Sequence, residues 1–276
     1  MIVQHNMSAL NANRQLGITN KALAKTTEKL SSGYRVNRAA DDAAGLSISE
    51  KMRGQIRGLN QASRNAQDGQ NLIQTAEGAL GEIHSVIQRM RELTVEASND
   101  TNVSADRKAI ALELAALSSE IDRIASQTEF NTMKLLDGSF TNKELQVGAN
   151  AKQVITFSIS GMTASALGVT VATVAGKVSN NTASTITPII SVVNKALSLV
   201  SQQRSKLGAL QNRLDHTIDN ADNMAENLQS SESQIRDTNM AETMVQYSAK
   251  SIIQQAGQSM LAQANQATQG VLSLLQ

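Results

Sequence analysis

The sequence predicts a mainly α-helical fold: an elongated, coiled-coil-like helical bundle with a small β-hairpin region and paired N- and C-terminal helices. Apolar residues recur in alternating steps of three and four, which is the spacing of packed helices. The 276 residues contain a single proline, Pro188, so few helix breaks are imposed. Aromatic residues make up 2% of the chain, so Leu, Ile, Val, Met and Ala must fill the core.

Each end of the chain carries a thin apolar stripe on an otherwise polar helix. Gly33 stands where the first of these helices would end, because glycine readily adopts the left-handed conformation of a helix C-terminus. Either helix alone would be marginal in water. We therefore expect the two ends to be disordered or loosely paired in an isolated subunit and to become ordered on assembly. The candidate assembly core comprises Leu10, Leu16, Leu23, Leu30, Ile253, Met260, Val271 and Leu274.

The longest apolar stripe follows, from Gly45 to Ser98. Asp42 lies immediately before it and is predicted to cap the helix N-terminus. A helix of this length would measure about 75–80 Å, longer than the roughly 50 Å diameter of a compact globule of this size. The sequence therefore predicts a rod. Gly54 and Gly58 on this helix indicate a close approach of a neighbouring helix.

A polar break at residues 99–102 separates this helix from a second one, whose stripe runs from Ile110 to Ile124. The pair Asp137–Gly138 predicts a turn. Alternating apolar residues then predict two strands, around Leu145 and around residues 155–159. The Ala-, Gly- and Thr-rich stretch 161–181 is predicted to be loop or short strand.

The last long helix is predicted to start at Thr187, with Thr187 as its N-cap and Pro188 at the first helical position. Its stripe continues to Ile235, over roughly 70 Å. The predicted organisation has five segments: an N-terminal helix and linker, the first half of the rod, the hairpin with a short loop, the second half of the rod, and a C-terminal helix. Their bounds are 1–44, 45–140, 141–186, 187–239 and 240–276.

Composition argues against several functional classes. The net charge is +1 with no basic run, which disfavours nucleic acid binding. No apolar run reaches 18 residues, so no membrane span is expected. Cysteine is absent and the three histidines are scattered, without metal-ligand spacing or a phosphate-binding loop. We expect no catalytic residue, no cofactor and no metal, and the N-terminus lacks the pattern of a cleaved signal peptide.

The segment Leu30–Arg53 has a specific sequence, LSSGYRVNRAADDAAGLSISEKMR. It closely resembles the N-terminal signature of bacterial flagellin. The resemblance extends to several other segments and covers nearly all of 1–140 and 187–276. These segments are Asp68–Gly69, Ile73–Leu80, Arg89–Leu93, Ile121–Arg123, Thr128–Asn131, Gly208–Leu214, Met260–Gln266 and Val271–Leu275.

The resemblance implies a short flagellin without outer variable domains, which would polymerise with itself into the flagellar filament for motility. Flagellins are exported unfolded through the flagellar type III apparatus, so an extracellular location is expected. A cytoplasmic export chaperone, the filament cap and hook-junction proteins would be further partners. The end of the chain departs from the family: Thr268–Gly270 and Gln276 replace its usual Pro-Gln-Asn and closing Arg.

The resemblance also implies a ligand of an innate immune Toll-like receptor. The positions that match are Gln88, Arg89, Leu93 and Glu113. Arg89 and Glu113 could form charge-assisted hydrogen bonds, and Leu93 could fill a pocket. The same residues could instead be contacts between neighbouring subunits in a filament.

Two other functions compete with the filament subunit. A flagellar hook–filament junction protein would share the helical ends, but such proteins resemble flagellin more loosely. A helical binding module that does not polymerise would have no reason to keep apolar stripes at both ends. The sequence therefore favours the filament subunit.

Overall fold

The structure is a computed structural model that describes the backbone of residues 6–179 and 183–273. Within these ranges the chain is mainly α-helical with two small antiparallel hairpins, which confirms the predicted fold class. The elements are α1 (Met7–Ser32), α2 (Ala43–Ala97), α3 (Ser104–Gln127), β1 (Glu129–Phe130), β2 (Met133–Lys134), β3 (Lys143–Gln146), β4 (Val154–Phe157), α4 (Ala164–Leu167), α5 (Ala175–Ser179), α6 (Ala183–Arg236) and α7 (Met240–Ser273).

The chain divides into two compact units. One contains residues 1–55 and 226–276, and the other contains residues 56–225. Helices α2 and α6 contribute residues to both. We call the second unit the bundle unit, and we call helices α1 and α7, which belong to the first, the terminal helix pair.

The core of the bundle unit is formed by the predicted stripes of α2, α3 and α6. Large side chains on these stripes are fully buried. Burying one aliphatic side chain stabilises a fold by about 1.5–3 kcal/mol. The three helices therefore meet along the faces that the sequence indicated. The fully buried residues include Leu80, Ile83, Ile87, Met90, Leu114, Ile121, Val193 and Val200.

The β3–β4 hairpin confirms the predicted strand alternation, with Leu145 opposite Ile155. It lies against α2, where glycine makes room for it. A Cβ added at Gly58 would lie 2.8 Å from the Ala149 Cβ, whereas one added at Gly54 would meet nothing within 4 Å. The close approach predicted at these glycines thus occurs at Gly58 alone, and the turn of the hairpin, not a helix, makes it.

Local structure between α3 and α6 was predicted less well. The β1–β2 hairpin turns through Asn131 and Thr132, both with positive φ. The stretch 161–181 was predicted to be loop or short strand, and this is wrong because it contains helices α4 and α5. The Thr163 side chain accepts a hydrogen bond from the Ala166 N–H at the start of α4, and Gly168 ends it at φ 76°.

Helix α6 includes Ala183, so the predicted start at Thr187 is wrong. Pro188 lies inside the helix, where it lacks the N–H that would bond to the carbonyl four residues earlier. Ile186 and Ile189, on either side, are 0% and 3% exposed. The burial of these two side chains offsets the lost hydrogen bond and keeps this turn helical.

Candidate assembly and receptor surfaces

Polar contacts between side chains hold much of the terminal helix pair together. The Lys250 Nζ donates to the Thr26 Oγ1 over 2.7 Å, and the Gln254 amide donates to the Asn20 Oδ1 over 2.8 Å. Near the far end of the pair, the Asn6 amide donates to the Ala264 carbonyl over 2.9 Å. The face of α7 that meets α1 is therefore mostly polar.

The heptad leucines of α1 lie on the side of that helix that faces α7. Leu16, Leu23 and Leu30 are half-buried. Opposite Leu16, α7 carries Gly257, where an added Cβ would lie 3.4 Å from the Leu16 Cδ1. The leucines of α1 thus pack against small and polar residues of α7.

The apolar stripe of α7 points elsewhere, which corrects the expectation that the two stripes meet. Ile253 is 56% exposed and Met260 is 61% exposed, and Leu10 on α1 is 59% exposed. Helix α7 has an apolar face and a face of polar and small residues. The second face packs against α1, because these residues fit α1 more closely than branched apolar ones would. The side chains of Val271 and Leu274 lie outside the described residues.

Sequence reasoning missed further exposed apolar side chains on the same two helices. They do not continue a single stripe, so the search for one periodic face passed over them. They are Ile18, Met244, Val245 and Ile252, each more than half exposed.

Backbone hydrogen bonds join the segment after α1 to the segment between α6 and α7. The Arg35 N–H donates to the Arg236 carbonyl over 2.7 Å, and the Thr238 N–H donates to the Gly33 carbonyl over 3.0 Å. The Arg236 guanidinium lies 4.6 Å from the centroid of the Tyr34 ring and donates to Glu50 over 2.9 Å. Both connections to the terminal helix pair are therefore fixed to each other.

Asp41 and Asp42 have separate roles in the linker before α2. The Asp42 carboxylate accepts from the Gly45 N–H over 2.8 Å, which confirms the predicted N-cap. The Asp41 carboxylate forms an ion pair with Lys25 over 2.6 Å and accepts from the Arg38 and Asn37 N–H groups. The hydrogen bond from Lys25, followed by that from Arg38, lowers the pKa of Asp41 to about 2.

Three of the four predicted receptor-site residues lie on one exposed face of α2 and α3. The Arg89 Nε donates to the Glu113 Oε1 over 3.0 Å, and the Arg89 Nη1 donates to the Glu92 Oε2 over 3.1 Å. The hydrogen bond that Arg89 donates to Glu113 is the largest cause of a raised Arg89 pKa. Gln88 is exposed and contacts the His84 ring over 3.0 Å.

Leu93 does not lie on this face. It is 2% exposed and belongs to the core, because it follows Met90 by three residues on the inner stripe of α2. Its expected role of filling a pocket in a receptor is therefore not supported. The exposed face, which we call the Arg89 face, consists of Gln88, Arg89, Glu92 and Glu113.

Other kinds of site are not found in the described part of the chain. No group of three or more His, Asp or Glu side chains there is arranged to hold a metal ion. No helix among those residues is both long and apolar enough to cross a membrane.

Two family models match this chain: the bacterial flagellin N-terminal helical region over residues 3–141, and the bacterial flagellin C-terminal helical region over residues 190–275. Full-length relatives agree. The chain is 52% identical to a flagellin of Halalkalibacterium halodurans over 276 residues, covering 100% of both chains. It is 48% identical to a flagellin of Bacillus subtilis, again covering 100% of both.

The protein belongs to the bacterial flagellin family, a family of structural proteins rather than enzymes. It is a short flagellin and a component of the extracellular flagellar filament. Among solved structures, the fold is similar to that of a Vibrio parahaemolyticus protein described as a flagellar hook-associated protein. That match has a TM-score of 0.58 and 12% identity, and it covers 72% of this chain and 98% of the other.

Proposed function

We propose that the terminal helix pair is the surface through which copies of this chain polymerise into a filament for motility. The observation that carries the proposal is the exposure of Leu10, Ile253 and Met260 on helices that pair through other faces. Burying each such side chain against another copy would contribute about 1.5–3 kcal/mol. Several on adjacent helices would exceed the cost of ordering a weakly held pair.

The double variant Ile253→Gln/Met260→Gln tests this surface. Both side chains are exposed, so the isolated subunit should keep its helix content and melting temperature. Filament formation by the purified protein, followed by light scattering and electron microscopy, should require a critical concentration at least about tenfold higher, since 1.4 kcal/mol corresponds to a factor of ten.

The matched control is Gln258→Ser, an exposed polar position on the same helix, which should polymerise like the wild type. Unchanged polymerisation of the double variant would reject the terminal helix pair as the assembly surface. Failure of the wild type to extend filament seeds would reject the filament role itself and favour the non-polymerising module.

The hook–filament junction role is the alternative within the same class. The relatives of high identity, at 52% and 48%, are flagellins, whereas the hook-associated structure is 12% identical. The higher sequence identity to flagellins thus favours the filament subunit over the junction protein. Copy number separates the two: immunogold labelling should decorate the whole filament for a flagellin and a single ring at its base for a junction protein.

Export and its partners are part of the same proposal. The exposed apolar residues of α7, including Val245 and Ile252, would need cover before assembly. A cytoplasmic export chaperone is the expected cover, and unfolded passage through the type III apparatus would be followed by assembly beneath the filament cap. Replacing Val245 and Ile252 with Gln should weaken chaperone co-purification, with Gln258→Ser as the control.

The Arg89 face supports a role as a ligand of a Toll-like receptor. Arg89 and Glu113 are about half exposed, and their ion pair presents a fixed charge pattern across two helices. Arg89→Ala should lower the affinity of the monomer for the receptor ectodomain about tenfold or more, as expected for a hot-spot arginine. Arg123→Ala, which removes an exposed arginine paired with Glu120 on α3, is the matched control.

Equal receptor binding by wild type and Arg89→Ala would reject the receptor site. A filament contact at the same place would appear instead as a raised critical concentration in Arg89→Ala with unchanged receptor affinity.

A further inference from the structure

A cavity of about 250 Å³ lies between the end of β4 and helix α6, in the bundle unit. Its wall includes Phe157 and Ser158 on the hairpin side, and Gln203, Lys206 and Arg213 on α6. Lys206 and Arg213 are seven residues apart, so they lie on one face of the helix. The lining contains cations and hydrogen-bond donors but no carboxylate.

The cations that line this cavity have no ion-pair partner among the described residues. Lys206 and Arg213 are exposed, and neither forms an ion pair with any residue in 6–179 or 183–273. Lys143, directly opposite Phe157 in the hairpin, adds a third cation beside the site. An anion bound at the cavity would be attracted by these cations.

Gln203 supplies an independent observation. It is 3% exposed, and its buried amide nitrogen has no hydrogen-bond partner in the described part of the chain. A buried, unpaired amide costs about 1–3 kcal/mol relative to a paired one. Gln203 lines the cavity, so an acceptor bound there could pair with this amide.

We propose that this cavity binds a carboxylate, held by Lys206 and Arg213 at its mouth and by the Gln203 amide at its base. Its volume leaves room for one such group. The carboxylate could come from a small free acid or from an acidic side chain of a second copy. The second source rests on the proposed polymerisation.

The chain itself carries acidic side chains suited to the second source. Asp219 and Asp222 are exposed on α6, and neither carboxylate has an ion-pair or hydrogen-bond partner in the described residues. Unpaired cations and unpaired carboxylates on one chain are the complementary charges that a repeated contact between copies requires.

The first measurement uses the soluble full-length subunit, labelled with ¹⁵N. Titration with sodium acetate, against sodium chloride at equal ionic strength, should give a saturable shift of the Gln203 side-chain amide resonances. The response should be lost in Lys206→Gln/Arg213→Gln and kept in Lys195→Gln, which removes another exposed lysine of α6. Absence of a saturable acetate response that depends on Lys206 and Arg213 would overturn the proposal.

The second measurement identifies the source of the carboxylate. If it belongs to a second copy, Lys206→Gln/Arg213→Gln should raise the critical concentration for polymerisation about tenfold over Lys195→Gln, the effect of losing about 1.4 kcal/mol. An acetate response with unchanged polymerisation assigns the site to a small free acid. Because the acetate titration needs no filament, a failure of polymerisation in the wild type would count against the proposed function and not against the site.

Discussion

The bundle unit and the terminal helix pair use the same apolar spacing in opposite ways. In the bundle unit the stripe residues, such as Leu80 and Leu114, are 0% exposed. Among the described side chains of α1 and α7, the buried ones are Thr26 and Thr243, while apolar residues such as Ile253 face outward. A stripe therefore shows that a helix has an apolar face, but not which surface covers it.

The largest expected difference between the two regions is the cost of removing a leucine. Leu114→Ala should destabilise the bundle unit by about 2–5 kcal/mol, because it leaves a cavity in a closed core. Leu23→Ala, at a half-buried position of α1, should cost roughly half as much or less. Urea unfolding followed by circular dichroism would measure both. Equal losses would mean that the terminal helix pair is as tightly held as the bundle unit.

A second test concerns the fit of the hairpin to α2. Gly58→Ala should destabilise the bundle unit by about 1–3 kcal/mol, because the new Cβ would overlap Ala149 and displace the hairpin turn. The control, Gly54→Ala, adds the same atom where there is open space and should stabilise the helix by up to about 1 kcal/mol. The two thermal melts should shift in opposite directions. A stabilised Gly58→Ala would show that the close approach is absent in solution.

The helix content of the terminal helix pair gives a third test. If the contact between the leucines of α1 and the polar and small residues of α7 is weak, these helices should be partly frayed in the monomer and complete in the filament. Far-UV circular dichroism of monomer and polymer at equal concentration should show more helix in the polymer. Identical spectra would mean that the pair is already fully formed before assembly.

The smallest expected effect is the pH dependence from Asp41. Its folded pKa, about 2, is below the ordinary value of 3.8, so the contact stabilises the fold above pH 4. This contribution should disappear as the pH falls from 4 to 2 and the carboxylate takes up a proton. The difference in melting temperature between wild type and Asp41→Asn should shrink over that interval. A difference that is constant with pH would show that the pKa of Asp41 is not lowered in the folded protein.

The sequence predicted the long helices and the β3–β4 hairpin because their signals are periodic and extend over many residues. It missed the β1–β2 turn because Thr132 rarely adopts positive φ, and nothing local indicates it. Helices α4 and α5 are too short to show a period. Contacts distant in sequence help to hold them, such as the hydrogen bond that the Ala164 N–H at the start of α4 donates to the Asp122 carboxylate over 2.8 Å.

The candidate sites were likewise predicted only in part from the sequence. Motif likeness located Arg89 and Glu113, which do form an ion pair across two helices. It also included Leu93, although the inner stripe of α2 passes through that position. The carboxylate cavity leaves no local pattern, because Ser158 and Gln203 meet only through the packing of the hairpin on α6.

The hydrogen bonds between the segments 33–35 and 236–238 have a mechanical consequence. If a filament is pulled or twisted, a load on α7 reaches Arg236 and Thr238, and their bonds to Arg35 and Gly33 pass part of it to α1. The stacked Tyr34 ring resists sliding of one segment past the other. Helices α1 and α7 would therefore bear load together, and neither could be pulled away without breaking these two hydrogen bonds.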